Sequence, residues 1–254
     1  MRPAARFLEV DLASPEIELS PVLAETLAAT AAAEGRPVVL LRRQRPYVLL
    51  GPRDRRLPRL ADGLRWLAAR GLPVYQRIGG GSAVWLDETC LSFAVARPCR
   101  DFTETERNFL ELADGVRRGL ARLGLAARFG AAPGSYCEGP FDLVVGEPPR
   151  KLAGVAQAIR GGFALVSGMV LVAQDPARAT ALLQGFYRAS GDGRRLDAAA
   201  VTSVERELGR AVDPAEAAAA LRAGFSELFA LEERPLSALE LERARRLAAE
   251  RRLA

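Results

Sequence analysis

Residues 141–172 carry three β-rich runs almost end to end: FDLVV, RKLAGVAQAIR and GFALVSGMVLV. The connections between them are short turns, too short for a crossover helix. Neighbouring strands joined this way run antiparallel. Further strand-like runs are ARFLEVDL near the start, then RPVVLLRR and PYVLLGPR, and two segments around a triple glycine in LPVYQRIGGGSAVWLDETCLSFAVA. RPVVLLRR and PYVLLGPR, split only by a polar RQR, read as a hairpin.

Helical patterns interrupt the strands at irregular intervals. One is expected from about Pro21 to Ala33, with Ser20 as its N-cap. A second, LPRLADGLRWLAARG, has helical spacing at Leu60, Leu64 and Leu67 and stops at Gly71. A third covers 103–124, with Phe109, Leu112, Val116 and Leu120 on one face. Others are expected at about 176–187, 213–231 and 236–252. The last of these is charge-laced and reads as a solvated face. There is no regular βαβα alternation. The pattern predicts an α+β fold with a mixed or antiparallel sheet flanked by helices, not a doubly wound one. Residues 1–254 read as one domain, with 190–254 a C-terminal helical extension.

Several classes of function fall away. The chain has no histidine, which removes Ser-His-Asp triads, Cys-His pairs and most transition-metal sites. Neither G-x-G-x-x-G nor a Walker pattern occurs, so dinucleotide and P-loop readings are weak. The net charge of +5 is interleaved with 31 acids, and no dense basic run alternates with aromatics, which argues against nucleic acid. A positive face that docks an acidic protein fits as well. No apolar run reaches the roughly 20 residues of a membrane helix, and charges interrupt the first apolar stretch, unlike a signal peptide. Cys90, Cys99 and Cys137 sit at no disulfide or zinc spacing, which points to a reducing cytoplasm. Cys90 reads as core, Cys99 as surface.

Lys151 is the only lysine; the other 35 of the 36 basic residues are arginine. A position that keeps an amine under such a bias needs a compact charge or a removable proton. Two other segments could carry chemistry. In RIGGGSAVWLD, Gly79, Gly80 and Gly81 read equally as a hairpin turn or as a ligand wall, with Arg77 placed to fix a carboxylate or phosphate. In GSYCEGPFDL, Cys137 lies in a Gly/Pro-rich loop before a strand. A neighbouring cation would be needed to make it a thiolate. Spacing alone does not bring Cys137 to Lys151.

RIGGGSAVWLD resembles the pattern R-R-x-G-G-G-x-V-x-x-D, and FDLVVGEPPRKLAGVAQAIRGGFALVSGMVLV resembles D-L-V-V…K-x-x-G-x-A-Q…G-x-x-L. Together they are similar to the catalytic domain shared by biotin and lipoate protein ligases and octanoyltransferases, from the first helix to about residue 187. The resemblance puts Lys151 on the family lysine that meets the acyl group. CEGPFDL resembles the C-P-G-x-Y-D-L of lipoyl amidotransferases, which puts Cys137 on the acyl-thioester position.

That resemblance implies transfer of an octanoyl or lipoyl group through a cysteine thioester onto a lysine of lipoyl-domain proteins. The implied donor is the glycine-cleavage H protein or acyl carrier protein. Arg77, Gly79, Gly80, Gly81, Ser82, Asp87, Gly154, Ala156, Gln157 and Gly168 become the implied substrate-binding set. Val84, Leu152 and Val155 are expected against the acyl chain, and Arg77 and Asp87 at the mouth. No metal or redox cofactor is implied; ATP and Mg enter only if the chain is instead a lipoate ligase that forms an acyl-adenylate. Ligases usually carry a histidine where this chain has Leu86 before Asp87. A non-catalytic binder of lipoyl domains is the third reading.

Overall fold

The computed structural model describes residues 2–254. Among them eleven strands form: β1 (Ala4–Val10), β2 (Val38–Arg42), β3 (Tyr47–Leu50), β4 (Val74–Gln76), β5 (Val84–Leu86), β6 (Cys90–Pro98), β7 (Arg128–Gly130), β8 (Asp142–Val145), β9 (Arg150–Arg160), β10 (Phe163–Leu171) and β11 (Ala230–Glu233). Eight make one sheet in the order β11-β1-β2-β6-β10-β9-β8-β7, and three make a small sheet in the order β4-β3-β5. From β2 through β7 every pairing in the large sheet is antiparallel, while β1 runs parallel to both β2 and β11. The expected mixed α+β architecture is what forms.

Among the described residues seven α-helices cover the sheets: α1 (Ser20–Glu34), α2 (Leu60–Ala68), α3 (Thr105–Arg122), α4 (Pro176–Ala189), α5 (Val204–Leu208), α6 (Pro214–Ser226) and α7 (Ala238–Arg251). One face of the large sheet, with Phe7, Leu41, Phe93 and Val166, is packed by Leu112, Val116 and Leu120 of α3 and Phe225 of α6. The other face is divided. Leu40, Ala94 and Leu165 pack on α1, whereas Met169 and Leu171 pack with the small sheet, α2 and α4. Two antiparallel-paired strands alternate their faces, so residues directly opposite share one.

Four expectations are corrected. β2 and β3 are not a hairpin, because they belong to different sheets. Between them, the buried Gln44 donates to the carbonyls of Asp87 and Cys90 and turns the chain out of the large sheet. Ser20 is the first residue of α1 rather than its cap; its hydroxyl bonds Arg42 and the Arg43 carbonyl instead. The helix expected at 213–231 stops at Ser226, and Ala230–Glu233 forms β11 beside β1, so residues 190–254 are not purely helical. Cys99 is buried, not at the surface.

Nor is α7 a simply solvated helix. Glu240 is buried against Arg6 of β1 in a bidentate pair at 2.5 and 2.9 Å, and Thr30 of α1 donates to it as well. Burial would raise the Glu240 pKa. Hydrogen bonds from Arg6, the Ser237 N–H and Thr30 overcome this and hold it at about 2, below its usual 4.5. A carboxyl whose folded pKa is depressed stabilises the fold above its unfolded value and loses that contribution as the pH falls. Stability should therefore drop between pH 4.5 and about 2. Urea titrations of Glu240→Gln should show a flatter acid limb, with a midpoint already lowered at neutral pH.

Candidate active site

β9 and β10 build the floor of a cavity on the divided face, and β3 and β5 of the small sheet build its roof. The floor is paved with small residues, Gly154, Ala156, Ser167 and Gly168, while Leu49, Val84 and Leu86 close it from above. The empty space it encloses, solvent at its mouth included, is about 520 Å³. Gly168 is required because a Cβ there would collide with the Gly154 carbonyl across the β9–β10 pair.

The loop from Gly130 to Phe141 folds back over the start of β9 and brings Cys137 to Lys151. Lys151 Nζ donates to the carbonyls of Cys137 at 2.8 Å and Tyr136 at 3.2 Å, and pairs with Asp142 Oδ2 at 2.9 Å. Both charged residues are only 1% exposed. Asp142 in turn accepts the N–H groups of Gly139 and Val155. The three protons of the ammonium are thus committed to protein, and the amine staples the cysteine loop to the sheet.

Cys137 is the only non-glycine residue with positive φ among those described, at 47°. That left-handed turn costs roughly 1–2 kcal/mol for a residue with a Cβ. It aims the half-buried sulfur at the glycine loop of residues 79–82. There the Ser82 N–H donates to Sγ at 3.2 Å and Arg77 Nη2 at 3.3 Å. Arg77 also bonds the carbonyls of Gly80 and Ser82, which fixes its guanidinium. Burial pushes the Cys137 thiol up; Arg77 first, then Lys151 and the Ser82 N–H, outweigh it and lower its pKa below the ordinary value.

The glycines are a wall here, not a hairpin turn: β4 and β5 on either side of them both pair with β3. Gly80 N–H donates to the Gln157 carbonyl of β9, and Gly79 lies against Ala156. Gly81 has φ +95°, and a Cβ on it would stand 2.6 Å from Cys137 Sγ and 2.8 Å from Arg77 Nη2. The thiolate is the reactive form, so its pKa sets the pH at which alkylation accelerates. Arg77→Gln and Gly81→Ala should both move the iodoacetamide profile of Cys137 to higher pH. A thiol pKa higher by about one slows labelling at neutral pH by about tenfold. An unchanged profile would show that the guanidinium does not govern the sulfur.

Other expected residues fall differently. Val84 lines the cavity; Val155 borders it but packs, with Leu152, against the core under α3. Asp87 is not at the mouth; it caps the turn into β6, accepting from the N–H and hydroxyl of Thr89. Gln157 does not line the cavity; its side-chain amide donates to the Thr105 carbonyl. Sequence reasoning missed the brace behind the glycine loop. Tyr187 of α4 accepts the Ala83 N–H at 2.9 Å and donates to Asp54, which holds the Gly51 N–H. Nothing in a lone tyrosine on a helix signals that task. Among the described residues no cluster of three His, Cys, Asp or Glu could hold a metal ion, and no helix is long and apolar enough to cross a membrane.

Cys137 thus lines a mostly apolar slot between the two sheets, its sulfur held by the Ser82 N–H and Arg77. The chain belongs to the lipoyl protein ligase A/B catalytic domain family, whose model matches residues 21–226. Two similar curated proteins are octanoyl-[GcvH]:protein N-octanoyltransferases. That of Exiguobacterium sibiricum is 34% identical over 170 residues, covering 66% of this chain and 61% of its own. That of Kyrpidia tusciae is 32% identical over 188 residues, covering 68% and 63%. This chain therefore spans about six-tenths of those relatives. Protein Ta0514 of T. acidophilum, solved with bound lipoic acid, superposes with a TM-score of 0.73 at 25% identity, over 98% of this chain and 96% of that one.

Proposed function

We propose that this protein moves an octanoyl or lipoyl group from a carrier protein to a lysine of a lipoyl-domain protein through a thioester on Cys137. The observation that carries this reading is the Cys137 sulfur, held by the Ser82 N–H and Arg77 where the cavity opens. The names of the two octanoyltransferase relatives agree with it.

The thiolate attacks the carbonyl carbon of the acyl-lysine amide on the donor, which in this reading is the glycine-cleavage H protein. A C–S bond forms, the C–N bond breaks, and the departing amine takes up a proton. The lysine amine of the acceptor then attacks the thioester, loses a proton and returns the thiolate. One amide replaces another, so no ATP is needed to drive the exchange. Two easier steps stand in for one hard one. Arg77 and the Ser82 N–H favour the thiolate as both attacking and leaving group, and Lys151 holds the loop that aims it. Gly154, Ala156 and Ser167 leave room for the methylene chain; Gly79 and Gly80 keep the wall against β9.

Intact-mass analysis after mixing with octanoylated H protein tests the reading. One octanoyl added without ATP, and released by hydroxylamine, is the expected result. A lipoate ligase is the second reading, favoured by the fold shared with the lipoic-acid-bound T. acidophilum protein. It would instead make acyl-adenylate from free acid and ATP, with no thioester. A chain that bound lipoyl domains and did neither would be a scaffold.

A further inference from the structure

Arg42 closes the cavity at the end away from Cys137. It stands at the last position of β2, opposite Ser92 of β6; Ser92 lies opposite Met169 of β10, and Met169 opposite Gly154 of β9. That row crosses three inter-strand steps, roughly 14 Å. Arg42 is 4% exposed and lines the cavity with Leu49, Leu86 and Met169. Its Nε donates to the Ser20 hydroxyl at 3.1 Å. Its Nη1 is buried with no hydrogen-bond partner, and no carboxylate pairs with it among the described residues. The polar neighbours are spent elsewhere. Gln44 bonds the Asp87 and Cys90 carbonyls and Ser92, and Arg43 reaches the Glu88 carbonyl.

A guanidinium cannot shed its proton at any working pH. Buried beside apolar walls without a counter-charge, it is costly unless a ligand supplies one. A methyl-ended chain would leave its fork unmet. A carboxylate would meet two of its N–H groups at once. From ordinary carbon–carbon bond lengths, an extended chain gains roughly 1.25 Å per bond, so the seven bonds of an eight-carbon chain reach roughly 9 Å. A terminal carboxylate on such a chain spans most of the row.

We infer that the acyl group this cavity selects is an ω-carboxyacyl chain of medium length, its far carboxylate bound by Arg42 while its carbonyl lies at Cys137. The inference rests on the thioester-transfer reading above and changes its acyl group, setting a carboxylate where an octanoyl or lipoyl chain would end.

Calorimetry on the Cys137→Ala protein, which cannot be acylated, tests it with octanoic, octanedioic and lipoic acids. Octanedioic acid should bind at least about tenfold more tightly than either of the others, the worth of one charge-assisted pair. Arg42→Met should erase that preference, and Arg42→Lys should keep part of it. Equal or tighter binding of octanoic or lipoic acid, or no binding of any of the three, overturns the inference. The ligand series with Arg42 intact decides this even if the Arg42 variants fail to fold. The wild-type protein is then mixed with H protein carrying an octanoyl or an octanedioyl group. Adducts from neither group, with the binding preference intact, would sink the transfer reading and leave the preference standing. An octanoyl adduct without the binding preference would do the reverse.

Discussion

Cys137→Ala is expected to remove the acyl adduct entirely and to cut transfer by at least about a thousandfold, as loss of a nucleophile does. The fold should survive, because the side chain is only half-buried and its loop is held by the backbone carbonyls that Lys151 binds. A companion variant separates chemistry from strain. Cys137 sits at φ 47°, where a Cβ is unfavourable and glycine is at ease. Cys137→Gly should therefore melt at least as high as Cys137→Ala while carrying no adduct. If Cys137→Ala still accumulated a hydroxylamine-labile acyl group, the sulfur would not be the acceptor.

Lys151→Met is expected to damage stability and chemistry together. It leaves the Asp142 carboxyl 1% exposed and without its cation, a change worth about 3–5 kcal/mol. For a chain of this size that lowers the melting temperature by roughly 10 °C. The Tyr136 and Cys137 carbonyls lose their donor at the same stroke, so the sulfur is no longer aimed. Lys151→Arg should not restore the site. The lysine stem runs so close to Gly154 that a Cβ there would lie 3.0 Å from Lys151 Cε, which leaves no room for a broader fork. Lys151→Met with Asp142→Asn should recover part of the stability and none of the acylation rate. Equal melting of Lys151→Met and wild type would mean the ammonium is dispensable to the loop.

The large sheet was legible where strands were long and turns short. β8, β9 and β10 lie as read, and the face of α3 with Leu112, Val116 and Leu120 is buried as its spacing indicates. The passage from β2 to β3 was not legible, because a chain leaving one sheet for another needs no local signal beyond a polar RQR. β11, with the sequence ALEE, has too little apolar character to announce a strand; its partner β1 lies more than two hundred residues away. At the site, composition singled out Lys151 and motif likeness singled out Cys137. Their junction runs through two backbone carbonyls and Asp142, which only the folded loop reveals. Arg77 was expected to fix a carboxylate or phosphate; in the fold it donates instead to the sulfur of Cys137. Arg42 was invisible among 35 arginines until its burial was known.

The pairing of β11 with β1 also bears on how the chain is made. A ribosome releases residues 4–10 long before residues 230–233, at roughly 5–20 residues per second. For that whole interval the outer edge of β1 has no neighbour, and the Arg6 guanidinium awaits Glu240. An open hydrogen-bonding edge invites pairing with other chains. Nascent chains stalled before residue 230 should therefore be the species that chaperones capture.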